Sequence, residues 1–355
     1  MQSHGPASRP VGAEIGVRYA GYGELGRRHW QRGYANPDRK ERETAIIRIR
    51  RSSGQSGIDT VINILPISSH DARNSLKRPY PHKHPPPDGC LMNTSALASP
   101  SALYTVAYTQ HRGKVRGHAQ QDCLWTGESL WQCANLPVSS YTTDSPELFA
   151  AVPDGVSVSP APAKASQVVM AALAKALAEG HALDARLARG LQAQLCDTLA
   201  HHRRTRGSAT TLAAVHLHPQ HATMLNVGDS RVYQITAQNH WTQLSWDHTV
   251  LNTLIEKGEA DTNTAYASFY SALDSCLIAD EEEADFRIHT RTITLAPGDT
   301  LLICTDGVHD TLGNRLASLF DAQRSLPEQV TRWRKAVLKA GAPDNLSLIA
   351  VRVAS

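Results

Sequence analysis

The sequence predicts an α+β protein whose strands pair antiparallel. Apolar runs of five to ten residues recur between turn formers, as strands do. Two longer stretches carry apolar residues at helical spacing. Three consecutive strand-like runs, "ATTLAAVHLH", "HATMLNVGD" and "RVYQIT", are separated only by short turns and predict an antiparallel meander.

In chain order, "LYTVAYT" from about residue 103 and "LFAAVPDG" read as strands. "KASQVVMAALAKALAEG" reads as a helix that Gly180 ends. "LDARLARGLQAQLCDTLAHHRR" reads as a second helix, with basic residues near its C-terminus to suit the dipole. After the three strand-like runs come a helix near "HTVLNTLIEKG", a loop, and an acidic turn at "ADEEEAD". The strands "FRIHTRTITL" and "TLLIC" follow, then a helix near "PEQVTRWRKAVLKAG" and a final strand "NLSLIAVRV".

The 355 residues are enough for one large domain with an extension. Of 36 Lys+Arg and 33 Asp+Glu, residues 1–91 hold 15 and 8, so the basic excess belongs to that part alone. Residues 1–91 mix Arg, Gly, Ser and Pro, with only "DTVINILPI" strand-like, and read as a poorly ordered basic extension. Met92 opens a polar lead into the first regular strand, so an alternative start there is an even reading, with 1–91 not native. The domain is then expected over 92–355. Nothing in it calls for nucleic acid. No apolar run approaches the length of a membrane span, and the N-terminus lacks a signal's apolar core. A cytoplasmic protein is expected. The six cysteines show no CxxC pair and read as small buried hydrophobes.

Five carboxylates stand at turn positions beside apolar strands: Asp122, Asp154, Asp229, Asp306 and Asp344. One such Asp is a turn former. Five predict a cluster at one end of a sheet assembly. Such a cluster repels itself unless cations neutralise it, and Mg²⁺ or Mn²⁺ suits carboxylate and carbonyl oxygens. Gly155 would let the backbone carbonyl approach a metal.

The pieces and their order resemble the metal-dependent type 2C protein phosphatases of the bacterial Ser/Thr type, over residues 103–353. "VPDG" is followed by "KASQVV", then "GSATTLAAV", "GDSR", "WDHTVLNTLIEKGE", "LLICTDG" and "DNLS". The resemblance implies a four-layer αββα sandwich of two antiparallel sheets flanked by helices, with the site at one edge between the sheets. It implies hydrolysis of protein phosphoserine and phosphothreonine by a hydroxide bridging two divalent cations, Mn²⁺ or Mg²⁺. The alternative is a catalytically impaired phosphatase-like binding or regulatory module. Asp154 and the Gly155 carbonyl, Asp306 and Asp344 would hold metal, and Asp122 would act through water. Asp229 is a candidate for a third ion or a plain turn residue. Asp310 would reach a water or cap the following helix. Arg116, with Arg112 in reserve, would bind the substrate phosphate. Phosphorylated proteins, substrates of a Ser/Thr kinase, are the expected partners of a monomer used in signalling.

Two departures from the family pattern stand out. Gln120-Gln121-Asp122 keeps one carboxylate where an acidic pair is usual, and Val156–Pro160 replaces further glycines after Gly155. No phosphate-binding GxxxxGK[ST] loop or Gly-x-Ser-x-Gly elbow is present. The histidines, His216, His218 and His221 among them, form no HExxH pattern, so zinc is not expected.

Overall fold

The computed structural model describes residues 103–261, 264, 271–282 and 285–354, with the strands at 45–48 and 63–66. The strands are, in chain order, β1 (Ala45–Arg48), β2 (Asn63–Pro66), β3 (Tyr104–His111), β4 (Leu124–Trp125), β5 (Ser129–Gln132), β6 (Asn135–Thr143), β7 (Leu148–Val152) and β8 (Ala209–Thr210). They continue as β9 (Leu212–His218), β10 (His221–Val227), β11 (Arg231–Ile235), β12 (Trp241–Gln243), β13 (Leu277–Ile278), β14 (His289–Thr294), β15 (Thr300–Cys304) and β16 (Leu346–Val353). The helices are α1 (Pro162–Ala178), α2 (Ala185–Leu199), α3 (Val250–Glu256), α4 (Asp306–Leu312), α5 (Arg315–Ser318) and α6 (Leu326–Lys339).

Two antiparallel sheets carry the fold. One has the order β14-β10-β9-β7-β4-β5-β1-β2, the other β12-β11-β15-β16-β3-β6. Alternation along each strand divides the side chains between faces. On β15, Leu301 and Ile303 join Val106, Val215, Met224 and Val351 in a core between the sheets. Leu302 and Cys304 point the other way, against Val330, Trp333 and Val337 of α6. On β7, Leu148, Ala150 and Val152 face the inter-sheet core, while Phe149 and Ala151 join Val169, Leu173, Leu191 and Leu195 of α1 and α2. Three stacked cores make four layers, the expected αββα sandwich. They also explain why residues 301–304 form an unbroken apolar run: a strand covered on both faces has no solvent side.

The expected three-strand meander is corrected. β9 and β10 pair as a hairpin, with His218 opposite His221. β11 leaves them and pairs with β15 and β12 in the other sheet. The turn at Gly228–Ser230 therefore carries the chain between sheets. The second helix ends at Leu199, short of "HHRR", and has no basic residue in its last turn. Its start is secured by Asp184, whose carboxylate accepts the Leu187 N–H at 2.9 Å. The strand expected in "DTVINILPI" is β2; it pairs with β1, which adds to β5 at the sheet's edge. The rest of 1–91 lies outside the described residues. Among the described residues no helix is long and apolar enough to cross a membrane.

Candidate active site

Asp122, Asp154, Asp306 and Asp344 come from four separate chain segments and meet at one end of the two sheets. Asp122 precedes β4, Asp154 follows β7, Asp306 follows β15 and Asp344 precedes β16. Each is a short polar residue at the point where a strand stops, so rigid strands aim the carboxylates.

Asp122 is fully buried. Its Oδ2 accepts hydrogen bonds from Ser347 Oγ at 2.7 Å and Thr305 Oγ1 at 3.1 Å. Among the described residues its Oδ1 is buried with no partner, and so is Oδ1 of Asp306. Burial, then the charges of Asp306 and Asp344, outweigh the Ser347 bond and lift the Asp122 carboxyl to about 7. Burial also raises Asp154 well above the carboxylate range, followed by repulsion from Asp122, Asp306 and Asp229. Asp306 is raised by burial and then by Asp344. Asp229 is raised by burial and then by Asp306.

The glycines explain how the acids come so close. A Cβ on Gly307 would lie 1.8 Å from the Asn345 carbonyl, so the Asp306-Gly307 turn rests directly on the Asp344-Asn345 backbone. A Cβ on Gly155 would meet the Pro162 carbonyl at 2.5 Å and the Gln121 carbonyl at 2.8 Å, which lets the Asp122 and Asp154 segments converge.

The "GDSR" turn is held from four directions. Gly228 has φ +93°, and its missing Cβ leaves room for Thr211. Ser230 Oγ lies 2.7 Å from Thr211 Oγ1, which in turn accepts the Asp154 N–H at 3.1 Å. Arg231 forks onto Asp247, with Nε 2.9 Å and Nη2 2.6 Å from Oδ2. His248 Nδ1 accepts the Gly228 N–H at 3.0 Å. The "WDH" and "GDSR" motifs are thus one structural unit positioning Asp229.

Asp310 is not a helix cap: it lies inside α4, its Oδ1 2.9 Å from His309 Nδ1. His309 holds the Asp310 carboxyl below its usual range, and its Nε2 donates to the Asp229 carbonyl at 3.1 Å. Arg112 and Arg116 are exposed on the loop after β3. Asn345 ties that loop to the carboxylates: its Nδ2 donates to the Arg112 and Ala119 carbonyls, and its Oδ1 accepts the Gln121 N–H at 2.6 Å. The two departures noted in the sequence meet each other, because Ser157 Oγ donates to Gln121 Oε1 at 2.7 Å. Thr305, Ser347, His309 and Asn345 were not singled out from sequence. Thr305 carried a signal as part of "LLICTDG", and Asn345 and Ser347 as part of "DNLS".

An all-oxygen set of clustered carboxylates, with buried oxygens of Asp122 and Asp306 left unpartnered among the described residues, fits hard divalent cations. Two packed antiparallel sheets between helices, with clustered acids at a sheet end, define the class: a four-layer αββα sandwich with an acidic centre. A profile described as Protein phosphatase 2C matches residues 138–346, more than half of the chain, and the chain belongs to that family. It is 28% identical over 147 residues to the serine/threonine phosphatase stp of Listeria monocytogenes, covering 41% of this chain and 57% of that one. To the serine/threonine protein phosphatase PstP of Mycobacterium tuberculosis it is 26% identical over 152 residues, 41% of this chain and 28% of that one. The chain therefore spans little more than half the length of the Listeria relative it matches. A crystal structure of PstP superimposes with a TM-score of 0.58 at 22% identity, covering 71% of this chain and all of that one. A structure of the PstP catalytic domain with two manganese ions gives 0.54 at 21% identity, over 72% of this chain and all of that one.

Proposed function

We propose that this protein hydrolyses phosphoserine and phosphothreonine in proteins, using two Mn²⁺ or Mg²⁺ ions. The observation that carries this reading is the convergence of Asp122, Asp154, Asp306 and Asp344, with two buried oxygens left unpartnered among the described residues. Asp154 with the Gly155 carbonyl, Asp306 and Asp344 would hold the metals, Asp122 would bind through water, and Asp229 would serve a third ion. When bound, the ions neutralise charge on the phosphoryl oxygens and acidify the attacking water toward neutral pH.

The chain's own residues prepare the site. Thr305 and Ser347 fix Asp122 so that its other oxygen faces the cluster. Thr210 and Thr211 hold the Asp154 carbonyl through an O–H and an N–H, both at 2.8 Å. Ser230, bonded to Thr211 and buried, is not a nucleophile, in keeping with direct attack by water. Arg116, on the loop tied down by Asn345, would engage the substrate phosphate. The substrates would be phosphoproteins made by a Ser/Thr kinase, met by a monomer in the cytoplasm; the domain would be 92–355.

The second reading, a phosphatase-like binding module without catalysis, draws on Gln121, whose amide is bonded to Ser157 instead of supplying a second acid. Hydrolysis of a phosphothreonine peptide by the full chain decides between them. Release of phosphate only with Mn²⁺ or Mg²⁺, stopped by chelator, supports the enzyme. Metal-loaded protein that binds the peptide without turnover supports the module. Turnover in excess chelator overturns the two-metal mechanism.

A further inference from the structure

We propose that Glu147, His216 and His218 form a second metal site, of borderline transition-metal type such as Zn²⁺, on the outer face of the eight-stranded sheet. The site is distinct from the aspartate cluster in place and in donor chemistry. It sits at the opposite end of the same two strands: Glu147 immediately precedes β7, and Asp154 follows that strand seven residues later. An extended chain puts the two about 20 Å apart.

Strand geometry builds the site. His216 and His218 are two apart on β9, so both rings stand on one face. β7 runs antiparallel beside them with Leu148 opposite Leu217, which sets Glu147 next to His218. One ligand atom from each of the three residues lies within 4.8 Å of the other two. His216 Nε2 is 3.8 Å from Glu147 Oε2, and His218 Nδ1 is 3.8 Å from Glu147 Oε1. These separations are too long for hydrogen bonds. They approach the roughly 3.3 Å expected between donors sharing one tetrahedral ion at about 2.0 Å.

Two further observations point to a ligand. Among the described residues, His216 Nε2 is buried without any hydrogen-bond partner, a group that native structures rarely leave unsatisfied. The three residues open onto a cleft of about 540 Å³ that His181 and Asp184 also line. The bland explanation is a row of rings in contact, stacked except for the tilted His216–His218 pair, since Phe149, His216, His218 and His221 follow one another at centroid spacings of 4.0 to 4.4 Å. Stacking accounts for the rings but not for the carboxylate set between two nitrogens. Two imidazoles and one carboxylate leave a fourth position open to the cleft, the donor set of zinc and its neighbours instead of Mg²⁺. The pattern "HLHPQH" differs from HExxH because its spacing belongs to a strand and a hairpin, not to a helix.

The experiment is titration of Zn²⁺, and of Co²⁺ as its coloured substitute, into the full chain freed of metal. The wild type should bind one equivalent that persists in Asp154→Asn/Asp306→Asn, with a Co²⁺ spectrum of tetrahedral type. His216→Gln/His218→Gln should weaken that equivalent by about 100-fold or more. His216 packs on Phe149, so Glu147→Gln provides the variant that leaves the packing untouched; it should weaken the same equivalent and keep the wild-type melting curve. Zinc binding unchanged in both the histidine and the Glu147 variants would overturn the proposal. Absence from the wild type of any equivalent surviving the aspartate substitutions would do so too. Since the readout is binding, failure of the phosphatase reading leaves this test intact.

Discussion

Ser347 Oγ donates a 2.7 Å hydrogen bond to Asp122 Oδ2 across 225 residues of chain, joining the first acidic motif to the last strand. Ser347 also accepts from Gln110 Nε2 at 3.0 Å, and all three groups are buried. Ser347→Ala should cost about 1–3 kcal/mol, the usual penalty for stranding a buried polar partner, as read by chemical denaturation. Removing the donor also raises the proton affinity of Asp122. Turnover should fall at limiting Mn²⁺ and largely recover at saturating Mn²⁺; equal loss at both concentrations would count against the positioning role.

Asp306→Asn keeps the size of the side chain and removes its charge. The buried cluster is self-repelling, so the metal-free variant should melt at or above the wild-type temperature. Mn²⁺ affinity and phosphate release should both fall sharply, by about 100-fold or more, and Asp154→Asn should behave alike. Calorimetric Mn²⁺ titration beside a turnover assay checks this. Wild-type metal binding and turnover in the Asp306 variant would remove Asp306 from the site.

Gly307→Ala tests the contact of the Asp306 turn with the Asn345 carbonyl. The added methyl meets backbone at 1.8 Å, which no rotamer can relieve. A stability loss at or above the roughly 1–3 kcal/mol of ordinary overpacking is expected, with weaker Mn²⁺ binding because Asp306 and Asp344 are forced apart. A thermal melt and a metal titration read the two effects separately.

His248 is buried, and burial pushes its ring down to about 4. In the unfolded chain an imidazole titrates near 6.5. Between these values the unfolded state binds the extra proton, so stability present above about pH 6.5 is lost as pH falls toward 4. The whole window corresponds to at most about 3 kcal/mol. His248→Asn can still accept the Gly228 N–H but has no proton to gain. Its urea midpoint should therefore be lower than wild type at pH 7.5 and fall less between pH 6.5 and 4.5. Parallel pH profiles for the two proteins would show that His248 does not titrate in this way.

Deleting residues 1–91 leaves every motif of the carboxylate site in place. The truncated chain should retain most of its Mn²⁺-dependent turnover, assayed beside the full chain at equal concentration. Its new sheet edge at β5, which β1 pairs in the full chain, should show as a greater tendency to aggregate. Loss of most turnover in soluble truncated protein would place part of 1–91 within the domain.

The carboxylates themselves were legible in the sequence. Asp154, Asp306 and Asp344 each stand where a covered strand ends or begins, and apolar runs and turn formers are local signals. "TLLIC" could be read as a strand because the apolar run over residues 301–304 is unbroken until Thr305 and Asp306. What lay beyond the sequence was decided by contacts between distant segments. "RVYQI" has the same alternation in either sheet; the Gly228 turn, its fork onto Asp247 and pairing with β15 place it in the second. Thr305 and Ser347 look like ordinary strand-end hydroxyls until folding sets them on Asp122. His216 and His218 look like polar strand positions until β7 brings Glu147 alongside. Propensity and periodicity act over a few residues, so they mark which groups can carry chemistry. Which of those groups share a site depends on strand order and register, and these are set by burial summed over the whole sandwich.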